Sequence, residues 1–163
     1  MRNLLIKLAA GTVGGLAATL FLTKATPLSR RLPARFRPSF PKKDPGDFLV
    51  RKGERLIGAL SPKMHSRAVQ GMPWAYGLSW PLGLAALSGA LRLRSAPRTL
   101  AAGALLGALV WVIGYEGWLP ALGLAQPAHR LPLAKNAAGF VSHVAYGAIA
   151  AAPLAIAAPR LEA

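Results

Sequence analysis

Apolar and polar positions in this chain fall into long blocks and not into alternating steps. Four blocks, at about residues 4–23, 68–91, 99–119 and 136–158, are nearly continuous runs of Leu, Ala, Gly and Val. Each reaches the roughly 20 mostly apolar residues that a helix needs to cross a bilayer. β-branched residues are sparse and no block alternates as a barrel strand does, so the pattern predicts helices. The expected fold is all-α: a four-helix transmembrane bundle, with residues 1–163 forming one membrane domain.

The connection at 24–67 reads differently. Its first half, "TPLSRRLPARFRPSFPKKDPGD", has five prolines and no helical period, which predicts an irregular path. Its second half, "DFLVRKGERLIGALSP", predicts a short amphipathic helix capped by Asp47 and stopped near Pro62. Leu49, Leu56, Ile57 and Leu60 share one side of that helix, and Arg51, Glu54 and Arg55 the other. Such a helix lies in the headgroup region or docks on the bundle. In the first block, Lys7 sits one turn in, where a long side chain reaches back to the headgroups. The run is nearer to spanning length than to a signal-peptide core, so it is expected to be retained. In the second block, Trp74, Tyr76 and Trp80 suit an interface, and Pro81 frees a carbonyl and predicts a kink.

Composition narrows the setting. Hydrophobic residues make up 53% of the chain and mean hydropathy is +0.38, but aromatics reach only 7%, so the apolar mass is Ala, Leu and Gly. That mixture suits helices packing closely in lipid. Cysteine is absent, which excludes disulfides and thiolate chemistry. Small residues recur at helical spacing: Gly11 and Gly15 with Thr19, Gly103 and Gly107, and Gly139 and Gly147 on either side of His143. They predict helix–helix contact. None follows a strand or precedes a Lys-Ser/Thr pair, so no phosphate loop is implied.

Charge is strongly one-sided, with 20 Lys and Arg against 5 acids. Twelve of the cations lie in 24–67, including Arg30, Arg31, Arg35, Arg37, Lys42, Lys43, Arg51, Lys52 and Arg55. With four spans, Arg130 and Lys135 join them for fourteen on one side. Six (Arg2, Lys7, Arg92, Arg94, Arg98 and Arg160) remain on the other. Basic residues in short loops favour the cytoplasm, so the loop is expected there. Its expected partners are anionic lipid or an acidic protein surface. Nucleic acid is not expected, because only Phe36, Phe40 and Phe48 offer stacking surfaces in the loop.

The polar candidates inside the spans are Glu116, His143, Tyr146 and Tyr115. Trp118 and Pro120 place Glu116 at the rim, within about one 5 Å helical turn of the depth of His143. Two readings stand: Glu116, His143 and Tyr146 form a proton or cation path, or Glu116 is an interfacial acid bonded to a basic loop residue or a helix end and His143 a buried, hydrogen-bonded histidine. Small neighbours of His143 would alternatively leave room for a haem or chlorophyll-type ring; otherwise no cofactor and no metal is expected. An enzyme is not expected either. There is no second carboxylate near a span and no HExxH spacing, and Ser142 and His143 point apart on a helix.

The segments "GTVGGLAATLFLT", "WVIGYEGWLPALGL" and "HVAYG" resemble small bacterial inner-membrane proteins of the YagU-like family. The resemblance implies a multi-pass inner-membrane protein with about four spans and a loose association with acid tolerance. It marks Tyr115, Trp118, Pro120, His143, Tyr146 and Gly147 as positions to test. The expected function is structural or accessory, packing with other membrane subunits; the alternative is a small proton, cation or solute conductor using Glu116 and His143.

Overall fold

A computed structural model describes residues 2–39 and 41–161, with side chains to residue 157. Phe40 and the side chain of Arg160 therefore lie outside the described residues. Those described contain helices and no strand: α1 (Arg2–Ser29), α2 (Pro45–Ile57), α3 (Pro62–Leu87), α4 (Ala96–Val112), the single turn α5 (Leu119–Ala121) and α6 (Leu133–Leu161). Three helices are long and apolar enough to cross a membrane: α1, the run from α4 through α5, and α6, with mean hydropathy of 1.6 to 1.7. They mark a membrane protein. The expected second span is a 26-residue helix, α3, but does not join these three. Residues 70–87 carry no charge, but Gln70, Pro73, Ser79, Pro81 and the rings of Trp74, Tyr76 and Trp80 dilute its apolar character.

Several boundaries differ from expectation. The first helix continues through Lys24 and Pro27 to Ser29, so the irregular loop is shorter than 24–67. The cap of α2 is Asp44 and not Asp47. Asp44 Oδ1 accepts from the amides of Gly46 (2.7 Å) and Asp47 (3.1 Å), with Pro45 pre-set for the first helical position. That helix stops at Gly58, whose φ of +97° favours glycine. Pro62 opens the next helix, behind the Ser61 cap.

The helices pack in the order α3, α1, α6, α4, each antiparallel to its neighbour. Their contacts run through the small residues. A Cβ on Gly11 would meet Ala85 Cβ at 2.8 Å, and one on Gly15 would meet Leu78 Cδ2 at 2.9 Å. On α4, Gly103 faces Gly147 and Ala151, and Gly107 lies against the carbonyl of His143. Gly139 lies looser, against the Trp111 ring nitrogen. Two close approaches were not read from the sequence, Gly14 on Ala150 and Gly77 on Thr19. Adjacent glycines 14 and 15 serve different partners because consecutive residues are about 100° apart on a helix.

One end of the bundle is filled by Leu84, Ala85, Leu93, Ala151 and Leu154. Toward the other end Ala18, Tyr146 and Ala150 form a smaller cluster. The outer faces carry Leu5, Leu105, Val141 and Ile156, all exposed. Pro81 sits inside α3 and has no N–H, so the Gly77 carbonyl lacks its partner within the helix. The hydroxyl of Tyr146 on α6 donates to that carbonyl, 69 residues away in sequence. A defect made by proline in one helix is thus repaired by another.

Candidate functional site

Beyond the Ala18–Tyr146–Ala150 cluster, α1, α3, α4 and α6 diverge around a cavity of about 540 Å³. One face of α1 forms its longest wall: Thr19, Leu22, Thr23, Thr26, Pro27 and Arg30. Their spacing of three and four keeps them on one stripe. Pro73, Tyr76 and Gly77 come from α3, Val110 from α4, and His143 and Tyr146 from α6. The walls are mainly apolar. Their polar groups are largely committed. Thr23 and Thr26 donate to the carbonyls of Leu20 and Leu22 (both 2.8 Å). His143 Nδ1–H donates to the Gly139 carbonyl (2.8 Å), which leaves Nε2 as a lone-pair acceptor in the neutral ring. Thr19, 4% exposed, has no hydrogen-bond partner for its hydroxyl, which abuts Gly77 across the α1–α3 contact.

Of the four polar residues singled out in the sequence, three lie together. Tyr115 meets His143 edge-on with ring centroids 5.9 Å apart and stacks on Trp111 at 5.7 Å. Tyr146 lies one turn beyond His143 on α6. Glu116 does not join them. Residues Ile113–Trp118 form a widened helical turn, with Gly117 outside helical backbone angles (φ −101°, ψ −106°). Pro120, four residues after Glu116, has no N–H for the Glu116 carbonyl and crowds it, which favours such widening. The turn directs Glu116 to the connection before α6. There its carboxylate accepts from the backbone N–H of His129 (2.6 Å) and from His129 Nδ1–H (2.7 Å). Glu116 thus closes a loop.

The basic residues gather at the open end of the bundle. Arg30 lines the cavity, and Arg31, Arg35 and Arg37 follow it, exposed. The Lys42 amide donates to the Leu124 carbonyl (2.9 Å), which holds the loop against the α5–α6 connection. On α2, Arg51, Lys52 and Arg55 join Lys43 and Phe48 around a second, 320 Å³ cleft. Beneath them, His65 at the start of α3 bridges two acids of α2: Nε2 to Asp47 Oδ1 and Nδ1 to Glu54 Oε1, both 3.0 Å. Both carboxylates accept, so both ring nitrogens donate and the bridge is an imidazolium. The bonds to Glu54 and Asp47 raise the pKa of His65. Arg51 and then His65 lower that of Asp47, and His65 lowers that of Glu54. Sequence reasoning missed this clamp, although Asp47 and Glu54 are two of the three acids in the 24–67 connection and His65 is its one histidine.

Compared with known protein families, with characterised proteins and with solved structures, the chain matches none.

Proposed function

We propose that this chain is an accessory protein of the bacterial inner membrane. It crosses the bilayer four times and uses its basic end, on the cytoplasmic side, to hold anionic lipid and neighbouring membrane subunits. The carrying observation is charge segregation on an apolar bundle. Antiparallel packing gathers the loop cations, Arg130 and Lys135 at one end, while Arg92, Arg94 and Arg98 lie at the other. Each cation near an anionic surface contributes about 1 kcal/mol, so such an end binds acidic lipid cumulatively. Two features support four crossings. α3 is 26 residues long, enough to span, and runs antiparallel beside α1 for about 12 Å, from Gly77, opposite Thr19, to Ala85, opposite Gly11. At the basic end, α2 presents Leu56 and Ile57, 86% and 79% exposed, beside Arg55, as a helix seated in the headgroup region does. The YagU-like resemblance is part of the same proposal.

Native mass spectrometry of the protein released from its own membranes in mild detergent tests this. Acidic phospholipids should be retained above their bulk fraction, and replacing Arg31, Arg35 and Arg37 with Gln should reduce the excess. A bare monomer carrying lipid in bulk proportion contradicts it.

A further inference from the structure

We propose that the 540 Å³ cavity seats one acyl chain of an acidic amphiphile, with its head group at Arg30 and its chain end near Thr19. The inference rests on the proposed basic-end reading and names the ligand class of one site within it. Cavity volume falls in the range of about 300 to 1,000 Å³ typical of ligand sites. From Thr19 to Arg30 the α1 wall is eleven residues long, about 16 Å at 1.5 Å per residue. Spread over that length, the volume gives a mean cross-section of roughly 30 Å². This is a slot for a single extended hydrocarbon chain. It is aligned with the helices, as a lipid in the adjoining leaflet would be.

The chemistry of the walls selects the same ligand. Along the slot most donors are spent: Thr23 and Thr26 on their own helix, His143 Nδ1–H on Gly139, and the Tyr146 hydroxyl on Gly77. The Thr19 hydroxyl is covered by Gly77. Apart from the His143 Nε2 lone pair and the Tyr76 hydroxyl, a polar ligand would find few groups to satisfy it there, while hydrocarbon meets a mainly apolar wall. Water filling an apolar slot of this size would lack the two to four polar partners each molecule needs. At the mouth the wall becomes cationic, because Arg30 there begins the run of exposed arginines. A guanidinium binds carboxylate or phosphate through paired N–H donors. The shared chemistry is therefore an acyl tail on an acidic head, supplied either by a free fatty acid or by an anionic phospholipid.

Photo-crosslinking in nanodiscs tests the site. Probes with a diazirine near the chain end would be phosphatidylglycerol, phosphatidylcholine and a free fatty acid, each added in trace amount. The phosphatidylglycerol probe, the fatty-acid probe or both should label Tyr76, Val110 or Tyr146, and which does so identifies the source. Phosphatidylcholine should label only outer positions such as Leu105 and Ile156. Arg30→Gln, an exposed substitution, should cut cavity labelling about fivefold and leave outer labelling unchanged. Val110→Phe, which fills the slot, should abolish cavity labelling. Equal cavity labelling by phosphatidylcholine, label confined to the outer faces, or indifference to Arg30→Gln overturns the proposal. If acidic lipid is retained in native mass spectra while the cavity stays unlabelled, this site fails and the basic-end reading survives. If neither is seen, both fail.

Discussion

Removing the Tyr146 hydroxyl should destabilise the bundle through a carbonyl on a different helix. Tyr146→Phe keeps the ring, 2% exposed beside Ala18 and Ala150, and deletes only the donor to Gly77. Residue 81 is proline, so no helical N–H replaces that donor and the buried carbonyl is left unpaired. Leaving a buried acceptor unsatisfied costs about 1–3 kcal/mol. Interhelical hydrogen bonds in membrane bundles average about 0.6 and reach about 1.7 kcal/mol. The orphaned carbonyl puts this case toward the upper end, near 1.5 kcal/mol, or roughly tenfold in the unfolding constant. The decisive comparison is a double-mutant cycle with Pro81→Ala. Alanine at 81 restores an N–H four residues after Gly77, so Tyr146→Phe should then cost little, a coupling of about 1 kcal/mol or more. Denaturant unfolding in lipid bicelles, followed by tryptophan fluorescence, measures all four corners. An equal cost of Tyr146→Phe with proline or alanine at 81 would refute the repair argument, whatever either single variant does.

Other outcomes follow from the same geometry. Gly107→Ala should cost about 1–2 kcal/mol, because its Cβ would lie 2.8 Å from the carbonyl carbon of His143 and overpacking outweighs the helix-propensity gain. Gly83→Ala, with open space around the new Cβ, should instead gain about 0.5–1 kcal/mol in the same unfolding assay. Asp44→Ala should loosen α2 by about 0.5–2 kcal/mol through loss of its cap, read as faster amide exchange over residues 46–50. Docking of α2 on α3 should also depend on pH. The folded pKa of His65 is raised, so its contribution is complete below about 6.5 and is lost as pH rises through the higher folded value. Those of Asp47 and Glu54 are lowered, so their contribution is complete above about 4.3 and is lost as pH falls through the lower folded values. Exchange protection of α2 should therefore peak between about pH 4.3 and 6.5 and decline on both sides. His65→Gln should flatten the alkaline decline; an unchanged profile rejects the clamp.

How much of this was legible in the sequence depended on the range of each signal. Gly11, Gly15, Gly103, Gly107 and Gly147 were readable because a four-residue step puts small residues on one helix face. Gly14 and Gly77 were not, because each matters only through a neighbour that the sequence does not name. Pro81 announced a freed carbonyl, but its donor lies 69 residues on. Glu116 reads from the sequence as a rim acid, yet its partner His129 is set by a widened turn and a loop, neither of which has a period to read. Asp47 reads as a cap because it precedes the amphipathic run. Asp44-Pro45 is the better start signal, since proline supplies the fixed first turn and aspartate the acceptor. The cavity could not be read at all, being the gap left by four helices. The dilute character of α3 was visible as Gln70, Pro73, Ser79 and Pro81 among its apolar residues, and α3 is also where the span count turns.

The central claim is that α3 crosses the membrane beside α1, which puts the basic loop and the turn between α3 and α4 on opposite faces. Because the chain has no cysteine, single exposed cysteines report position without background. Ala59→Cys in the loop and Ala90→Cys in the turn would each be reacted with a membrane-impermeant maleimide in vesicles of defined sidedness. Labelling of the two sites from opposite faces is the predicted result; labelling of both from the same face contradicts it.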